Sequence, residues 1–382
     1  MYPFTRMRKL LNRLVRNLKF NVYILSGKDP QERPFSLMYV GHEGNRNYLA
    51  RMVLGDNHKT IESLKIWLWS LKGEIGRKRK SCDLIVMEDS ERVRRFIDPK
   101  EMLVVPTWIG WKADISDEIS AIVKRDRSLQ SDIRRIRKNK LTFEVAKDEV
   151  DFEEFYQKMY LPYITSVHGD RASLTAYDKM KNHFPECDLI VVRRGKEKMG
   201  GMLIQYNNEM PRLWSIGVMD ARLDYLKAGV IGALYYFSII HLKKQGHSKV
   251  HYGATRAFLN DGVLRYKKKW GIQVANPPKQ TFLIRIESVS SKLKAFLLNN
   301  PFIHVEKDSL QAAVFIDNAE LPTGPEIQRL RKDYFLNGLS GLNLYSFGHE
   351  NQNCEEFNLQ EAHDGVSVYP ASAFFKRPSS QK

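Results

Sequence analysis

The sequence predicts an α/β protein, and three observations carry that expectation. Short apolar runs of strand length alternate with stretches of helical spacing from residue 21 to about residue 290. An apolar fraction of 43%, with 17 Tyr, 19 Phe and 6 Trp in 382 residues, can fill a core and excludes wholesale disorder. The longest nearly apolar run, Ala228 to Ile240, is too short to cross a bilayer and contains Gly, Ser and two Tyr.

The elements follow in order. Residues 6–20 (RMRKLLNRLVRNLKF) place Leu10, Leu11, Leu14, Val15 and Leu18 at helical spacing, with Arg6, Lys9, Arg13, Arg16 and Lys19 off the stripe. A basic amphipathic helix is therefore expected over 1–20, suited to an anionic membrane face or to docking on the protein's own core. Arg and Lys interrupt each hydrophobic region there, so no secretory signal is expected. NVYIL, FSLMYV and NYLARMVL have strand character, TIESLKIWLWSLKGEIGRKRK reads as a helix, and CDLIVME as a buried strand. Together they predict an α/β layer over 21–115.

A second unit is expected over 116–290. Residues 116–139 read as one long helix, closing on the basic cluster Arg134-Arg135-Ile136-Arg137-Lys138-Asn139-Lys140. Cations suit a helix C-terminus, and they suit a bound anion equally well. LTFEVAK then reads as a strand, and DFEEFYQKMYLPYITSVHG and SLTAYDKMKNHF as two helices. DLIVVRRGKEKMGGMLIQYNNEMPRLWSIGVM divides into three antiparallel strands at two turn-prone sequences. A helix from about Gly229 to Lys244 is stopped by Gly246; KVHYGAT is a strand, NDGVLRYKKKW a short helix or turn, and FLIRIES a last strand. Over 291–382 the signals weaken: LQAAVFID and LNLYSFG have strand character, GPEIQRLRKDYFLNG helical character, and the polar end is expected to be loosely ordered.

Charge and cysteine content narrow the function classes. A net charge of +17 favours an anionic partner, whether a phosphate-bearing cofactor, RNA or an acidic membrane surface. Cys82, Cys187 and Cys354 lie far apart without metal-ligand spacing, which predicts reduced thiols in a cytoplasmic protein with no metal. No Ser-His-Asp order and no P-loop is visible, so hydrolase and NTPase readings find no support.

Three segments carry possible chemistry. In the first, Asp220 to Ala233, Gly229 opens a helix and Gly232 stands one turn in. Backbone N–H groups and the positive helix end there suit a pyrophosphate, with Arg222 and Lys227 beside it; tight helix–strand packing explains the glycines equally well. The second, HYGATRAFLNDGVLRYKKKWG, sets Arg265, Tyr266, Lys267, Lys268 and Lys269 beside Trp270 after an Asn260-Asp261-Gly262 turn. That density of cations suits a bound anion or a developing negative charge, or simply a solvated basic turn. The third is the helix end Thr165 to Arg171, where His168 could take the proton of an attacking amine or serve as a helix-end hydrogen-bonding group. His251 and Asp261 are comparable candidates for that base.

Over roughly 128–275 the sequence resembles the Fem-type peptidyltransferases and the related FemAB-like acyltransferase domains of the GNAT superfamily. The resemblance rests on SDIRRIRKNKL, FEEFYQKMYLPYITSVHG, the strand–YLKAG–helix unit and, above all, Asn260-Asp261-Gly262-Val263-Leu264-Arg265-Tyr266-Lys267. It implies a mixed, largely antiparallel sheet with flanking helices, split by a β-bulge that opens a V for the acyl donor, and two GNAT-like halves with 21–115 as a degenerate first half. It further implies N-acyl transfer from acyl-CoA to an amine, without a metal, the acceptor being an amino sugar or a cell-envelope precursor. Lys267 matches the lysine near the transferred carbonyl, Tyr266 the aromatic that lines the acyl site, and Arg222, Lys227, Gly229 and Gly232 would hold the donor's phosphates. The chain departs from the family in one place. Lys-Ala-Gly-Val-Ile-Gly stands where typical acyl-CoA enzymes carry Arg or Gln followed by Gly-x-Gly or Gly-x-Ala. Two alternatives therefore stay open: an aminoacyl-tRNA-dependent peptidyltransferase, and a non-catalytic module of the same fold. Either is expected in the cytoplasm, with the basic N-terminus permitting contact at the inner membrane face.

Overall fold

The structure, a computed structural model, describes residues 18–28, 34–99, 102–169, 174–206, 210–286, 289–318, 322–349 and 365–375. Its first strands are β1 (Lys19–Lys28), β2 (Pro34–Val40), β3 (Lys59–Trp67), β4 (Leu84–Glu88), β5 (Leu103–Pro106) and β6 (Ile109–Asp114). Next come β7 (Leu141–Ala146), β8 (Cys187–Arg194), β9 (Glu197–Gln205), β10 (Arg212–Val218), β11 (Lys249–Thr255) and β12 (Gln273–Val274). The chain closes with β13 (Thr281–Arg285), β14 (Phe302–Glu306), β15 (Ser309–Ile316), β16 (Gly341–Ser346) and β17 (Val366–Pro370).

These strands form two mixed sheets flanked by helices, the two-part α/β organisation expected from the sequence. One has the order β17-β16-β15-β14-β5-β13-β4-β2-β1-β3, the other β12-β6-β11-β10-β9-β8-β7. Strand pairing cuts across the boundaries expected at 115/116 and 290/291. β6, from the first expected unit, lies in the second sheet against β11, while β13, from the second unit, pairs with β4 and β5 in the first. β14 to β17 continue that first sheet, so residues after 291 complete it rather than append to it.

Several local expectations are corrected. Most of the helix expected over 1–20 lies outside the described residues, but Lys19 and Phe20 belong to β1, in register with Trp67 and Ile66 of β3. NYLARMVL is not a strand: it falls in helix α1 (Glu43–Leu54), which buries Leu49, Ala50, Val53 and Leu54. Those positions share one helical face, and a strand would have sent half of them to solvent. TIESLKIW, expected as helix, is β3, where Leu64 and Ile66 alternate toward the core while Ile61 stays exposed. Only its continuation is helical, as α2 (Leu71–Lys78).

The single helix expected over 116–139 is two, α3 (Ile119–Lys124) and α4 (Arg127–Lys138). Asp126 separates them, its carboxylate accepting the Ser128 N–H at 2.6 Å and starting a new helix. The next helical stretch, α5 (Glu149–Glu154), widens into a π-helical turn over Phe155–Tyr160 before α6 (Leu161–His168). Pro162 stands at the start of α6 and cannot donate to the preceding turn, which accounts for the change of winding there. The π-helical turn presses on β10 because Gly217 has no side chain: a Cβ there would lie 2.5 Å from the Met159 carbonyl carbon. The expected end disorder is also corrected in part, since 366–375 form β17 and a short helix, while 350–364 and 376–382 lie outside the described residues.

Candidate active site

β7 to β10 form an antiparallel meander, and β10 then meets β11 in parallel at one residue pair, Arg212 with His251. Both strands are irregular at that point. β10 shifts register against β9 between Leu213 and Ser215, and β11 shifts against β6 between His251 and Ala254. Gly253, at φ +73°, supplies the left-handed residue that the β11 irregularity needs. Past Arg212 and His251 no further β10–β11 pair forms, an interruption at the place where the resemblance implies a split.

Asp261 directs Lys267 toward this interruption. Its carboxylate accepts the Leu264 N–H at 2.9 Å and so starts helix α9 (Gly262–Lys268), whose inner face carries Leu264 and Lys267. The Lys267 side chain is buried, and its Nζ donates to the Ala254 carbonyl at 3.4 Å beside Gly253. Desolvation pushes the ammonium down to about 8; Asp261 opposes that shift and Arg212 adds to it. Lys267 is therefore mainly a cation at neutral pH, and beyond its long bond to Ala254 its ammonium has N–H donors to spare for an oxyanion.

Tyr266, the preceding residue of α9, packs its ring against Tyr235. Lys269 Nζ lies 3.6 Å over the Tyr266 ring and pairs with the Asp132 carboxylate, which α4 contributes. Asp132 in turn packs on Gly232: a Cβ on that glycine would lie 3.0 Å from the Asp132 Cβ. Gly229, in the left-handed region at φ +94°, ends α7 (Leu223–Ala228), opens α8 (Val230–Lys244), and abuts the Arg135 side chain. The helix entrance and the cationic arm are thus joined through Asp132. Both glycines serve as packing surfaces for α4. Arg222 is engaged as well, hydrogen-bonded to Asp224 at 2.7 Å and stacked 4.0 Å over Tyr225, whereas Lys227 is exposed on α7.

The candidate bases fare differently. α6 ends at His168, whose side chain lies outside the described residues together with Asp170 and Arg171. His251 sits at the interruption, but its Nδ1 accepts the Gly253 N–H at 2.9 Å, which places the ring proton on Nε2. Burial first, then Arg212 and Lys267, push this imidazole down to about 4, so it stays neutral at working pH and takes up protons poorly. Asp261 is occupied as the α9 cap.

Asp132, Arg212, Arg256 and Tyr252 escaped the sequence reading. Asp132 is the lone acid of a basic helix, a signal that in retrospect marks an internal partner. Arg212 carries a buried Nε without a hydrogen-bond partner among the described residues, and nothing in the sequence distinguishes it from other arginines. Arg256, buried just beyond β11, holds its guanidinium 3.9 Å from the Trp108 ring and 4.3 Å from the Tyr48 ring, tying the two sheets together. Tyr252, Tyr266 and Trp270 each bury a polar atom without a partner among the described residues, in one aromatic cluster around Tyr235. Lys268 donates to the Lys332 carbonyl at 2.6 Å, so the helix α10 (Gly324–Tyr334) braces the arm from behind.

No protein-family model matches the chain, and no curated protein matches it. Among solved structures, the chain is similar to the C-terminal domain (DUF2156) of a putative lysylphosphatidylglycerol synthetase from Agrobacterium fabrum. Identity there is 12%, over 72% of this chain and 84% of that one, with a TM-score of 0.34. It is similar to FemX at 11% identity, over 68% of this chain and 83% of that one, with a TM-score of 0.33. A GCN5-related N-acetyltransferase from Kribbella flavida aligns at 7% identity over 82% and 76% of the two chains, with a TM-score of 0.28. These neighbours are of the Fem and GNAT kinds, but likeness at this level carries no argument about the chemistry of this chain.

Proposed function

We propose that the chain is an N-acyltransferase, passing an acyl group from acyl-CoA to an acceptor amine by direct attack. The observation that supports this reading is the Lys267 ammonium, buried beside β11 beyond its last pair with β10 and held by a single long bond to Ala254. A carbonyl seated there would meet a preorganised cation in a low-dielectric setting, where charge developing on its oxygen is stabilised most strongly. The amine nitrogen bonds to the carbonyl carbon, and the oxyanion forms against Lys267. Collapse then expels the thiolate, which leaves with the proton released by the amine. Tyr266 lines the arm, and Arg135, Lys227 and the α8 entrance supply positive charge for the donor's phosphates. Amino sugars and cell-envelope precursors remain the proposed acceptors.

One specific observation favours the second donor, an aminoacyl-tRNA. Asp132 and Arg135 pack on the two glycines that a CoA pyrophosphate would need, while α4 turns Arg134, Arg137 and Lys138 to solvent, where a longer phosphate backbone could lie. Native mass spectrometry of freshly purified protein separates the donors through co-purified coenzyme A or tRNA. Incubation with labelled acetyl-CoA and glucosamine, or with labelled aminoacyl-tRNA and a peptide amine, then reads transfer directly. Absence of transfer from either donor, with every acceptor amine tried, leaves only the non-catalytic module.

A further inference from the structure

We infer that the outer rim of the first sheet, built on β3 and the Trp67–Trp69 pair, is a docking surface for an anionic lipid bilayer. β3 is the last strand of that sheet, pairing with β1 alone among the described strands. At its end Trp67 and Trp69 stack with centroids 4.9 Å apart and planes 10° from parallel, and Lys19 Nζ lies 4.2 Å over Trp67. Trp69 is 57% exposed, and the same rim leaves Ile61 65% and Leu18 40% exposed. Three large apolar side chains held in water at a sheet edge call for a partner.

Charge decides its chemistry. Lys19 and residues 57–80 together hold eight Lys or Arg and two acids, so these 25 residues carry +6 of the chain's +17. The two acids are neutralised locally, Glu62 by Lys78 and Glu74 by Arg77. The Leu68 N–H donates to the Leu18 carbonyl at 2.9 Å, which holds Leu18 and Lys19 against the Trp pair. Tryptophan at headgroup depth, aliphatic side chains beside it and basic groups around it are what a bilayer interface of negative charge selects. A nucleic acid fits less well. The two indoles stack on each other rather than standing apart to receive bases, and exposed Ile61 and Leu18 give a base nothing to pair with. This inference stands independently of the proposed acyl transfer.

The test is co-sedimentation of the full chain with vesicles of phosphatidylcholine alone and of phosphatidylcholine mixed equally with phosphatidylglycerol. The expected result is pelleting with the anionic vesicles only, weakening as salt is raised, with a blue shift of tryptophan fluorescence. Trp69→Ala combined with Lys65→Glu and Lys72→Glu should lower partitioning by about tenfold or more at unchanged circular dichroism and melting temperature. Equal binding to neutral vesicles, or a triple variant that partitions like the parent, overturns the inference. It is equally overturned if vesicles are ignored while an RNA oligonucleotide quenches the Trp69-dependent fluorescence. Because the readout is partitioning, its failure leaves the acyltransferase reading untouched.

Discussion

Lys267 Nζ donates to the Ala254 carbonyl at 3.4 Å, so the buried cation of the arm sits on the part of β11 that lies beyond its last pair with β10. A charged side chain is costly to bury with so weak a partner. The arrangement makes sense when a second, transient partner arrives during the reaction.

Lys267→Ala should lower kcat by about a hundred- to a thousandfold, the usual effect of removing one oxyanion donor. Donor affinity, measured by calorimetry, should stay within about twofold, because the ground-state carbonyl carries little charge. Loss of affinity matching the loss of turnover would remove Lys267 from the transition state and make it a binding residue.

The pH profile follows from the same group. Lys267 loses its proton as pH rises through about 8, so kcat/KM should fall above that pH, and the falling limb should vanish in Lys267→Ala. Stability has the opposite sign. The folded-state value lies below the ordinary lysine value of 10.5, so the cost of the buried charge is full below about pH 8 and relieved between there and 10.5. At neutral pH Lys267→Met should therefore raise unfolding stability, on the order of 3 kcal/mol, with the gain shrinking in alkali. Denaturant midpoints at pH 7 and pH 10 measure this, and a gain independent of pH would contradict it.

Asp132 should be the costliest acid to remove near the site. Asp132→Ala leaves Lys269 buried without its carboxylate and should destabilise by about 3–5 kcal/mol in urea unfolding. Adding Lys269→Met should recover much of that loss. A double variant as unstable as the single one would show that Asp132 acts through its packing on Gly232 instead.

Asp188 offers a prediction remote from the site. Burial alone would raise its pKa, but hydrogen bonds from His241, Tyr206, Lys147 and Gln245 outweigh it and hold the carboxyl at about 2. The folded value lies below the ordinary 3.8, so this stabilisation is present above that pH and lost as pH falls through about 2. Asp188→Asn should cost roughly 2 kcal/mol at pH 6 and should make acid unfolding less steep. An unchanged acid transition would mean that the cluster contributes nothing net.

Five of the seven strands of the second sheet, β7 to β11, were legible because each declares itself by alternation or an apolar run bounded by turn residues, whereas β6 and β12 were not read as strands. Asn260-Asp261-Gly262 was legible for the same local reason, since Asp261 caps the very helix that aims Lys267. β3 was misread because Ile61, Leu64 and Trp67 also fit a helical period, and only pairing with β1 decides for the strand. Gly229 and Gly232 show the limit in the site itself. Their spacing marks a close approach, but whether a ligand or a helix makes it depends on α4, a hundred residues away in sequence.

The insertion of the whole second sheet between β5 and β13 of the first has a consequence for how the chain comes to be folded. The second sheet is built from one uninterrupted stretch, Ile109 to Val274, and that stretch interrupts the first sheet, which needs β1 to β5 before it and β13 to β17 after it. A nascent chain therefore holds β1 to β5 without β13, the strand that lies between β4 and β5, until residues 281–285 have been made. Such delayed closure favours chaperone engagement during synthesis and defeats production of the first sheet from the residues on either side of the insertion alone.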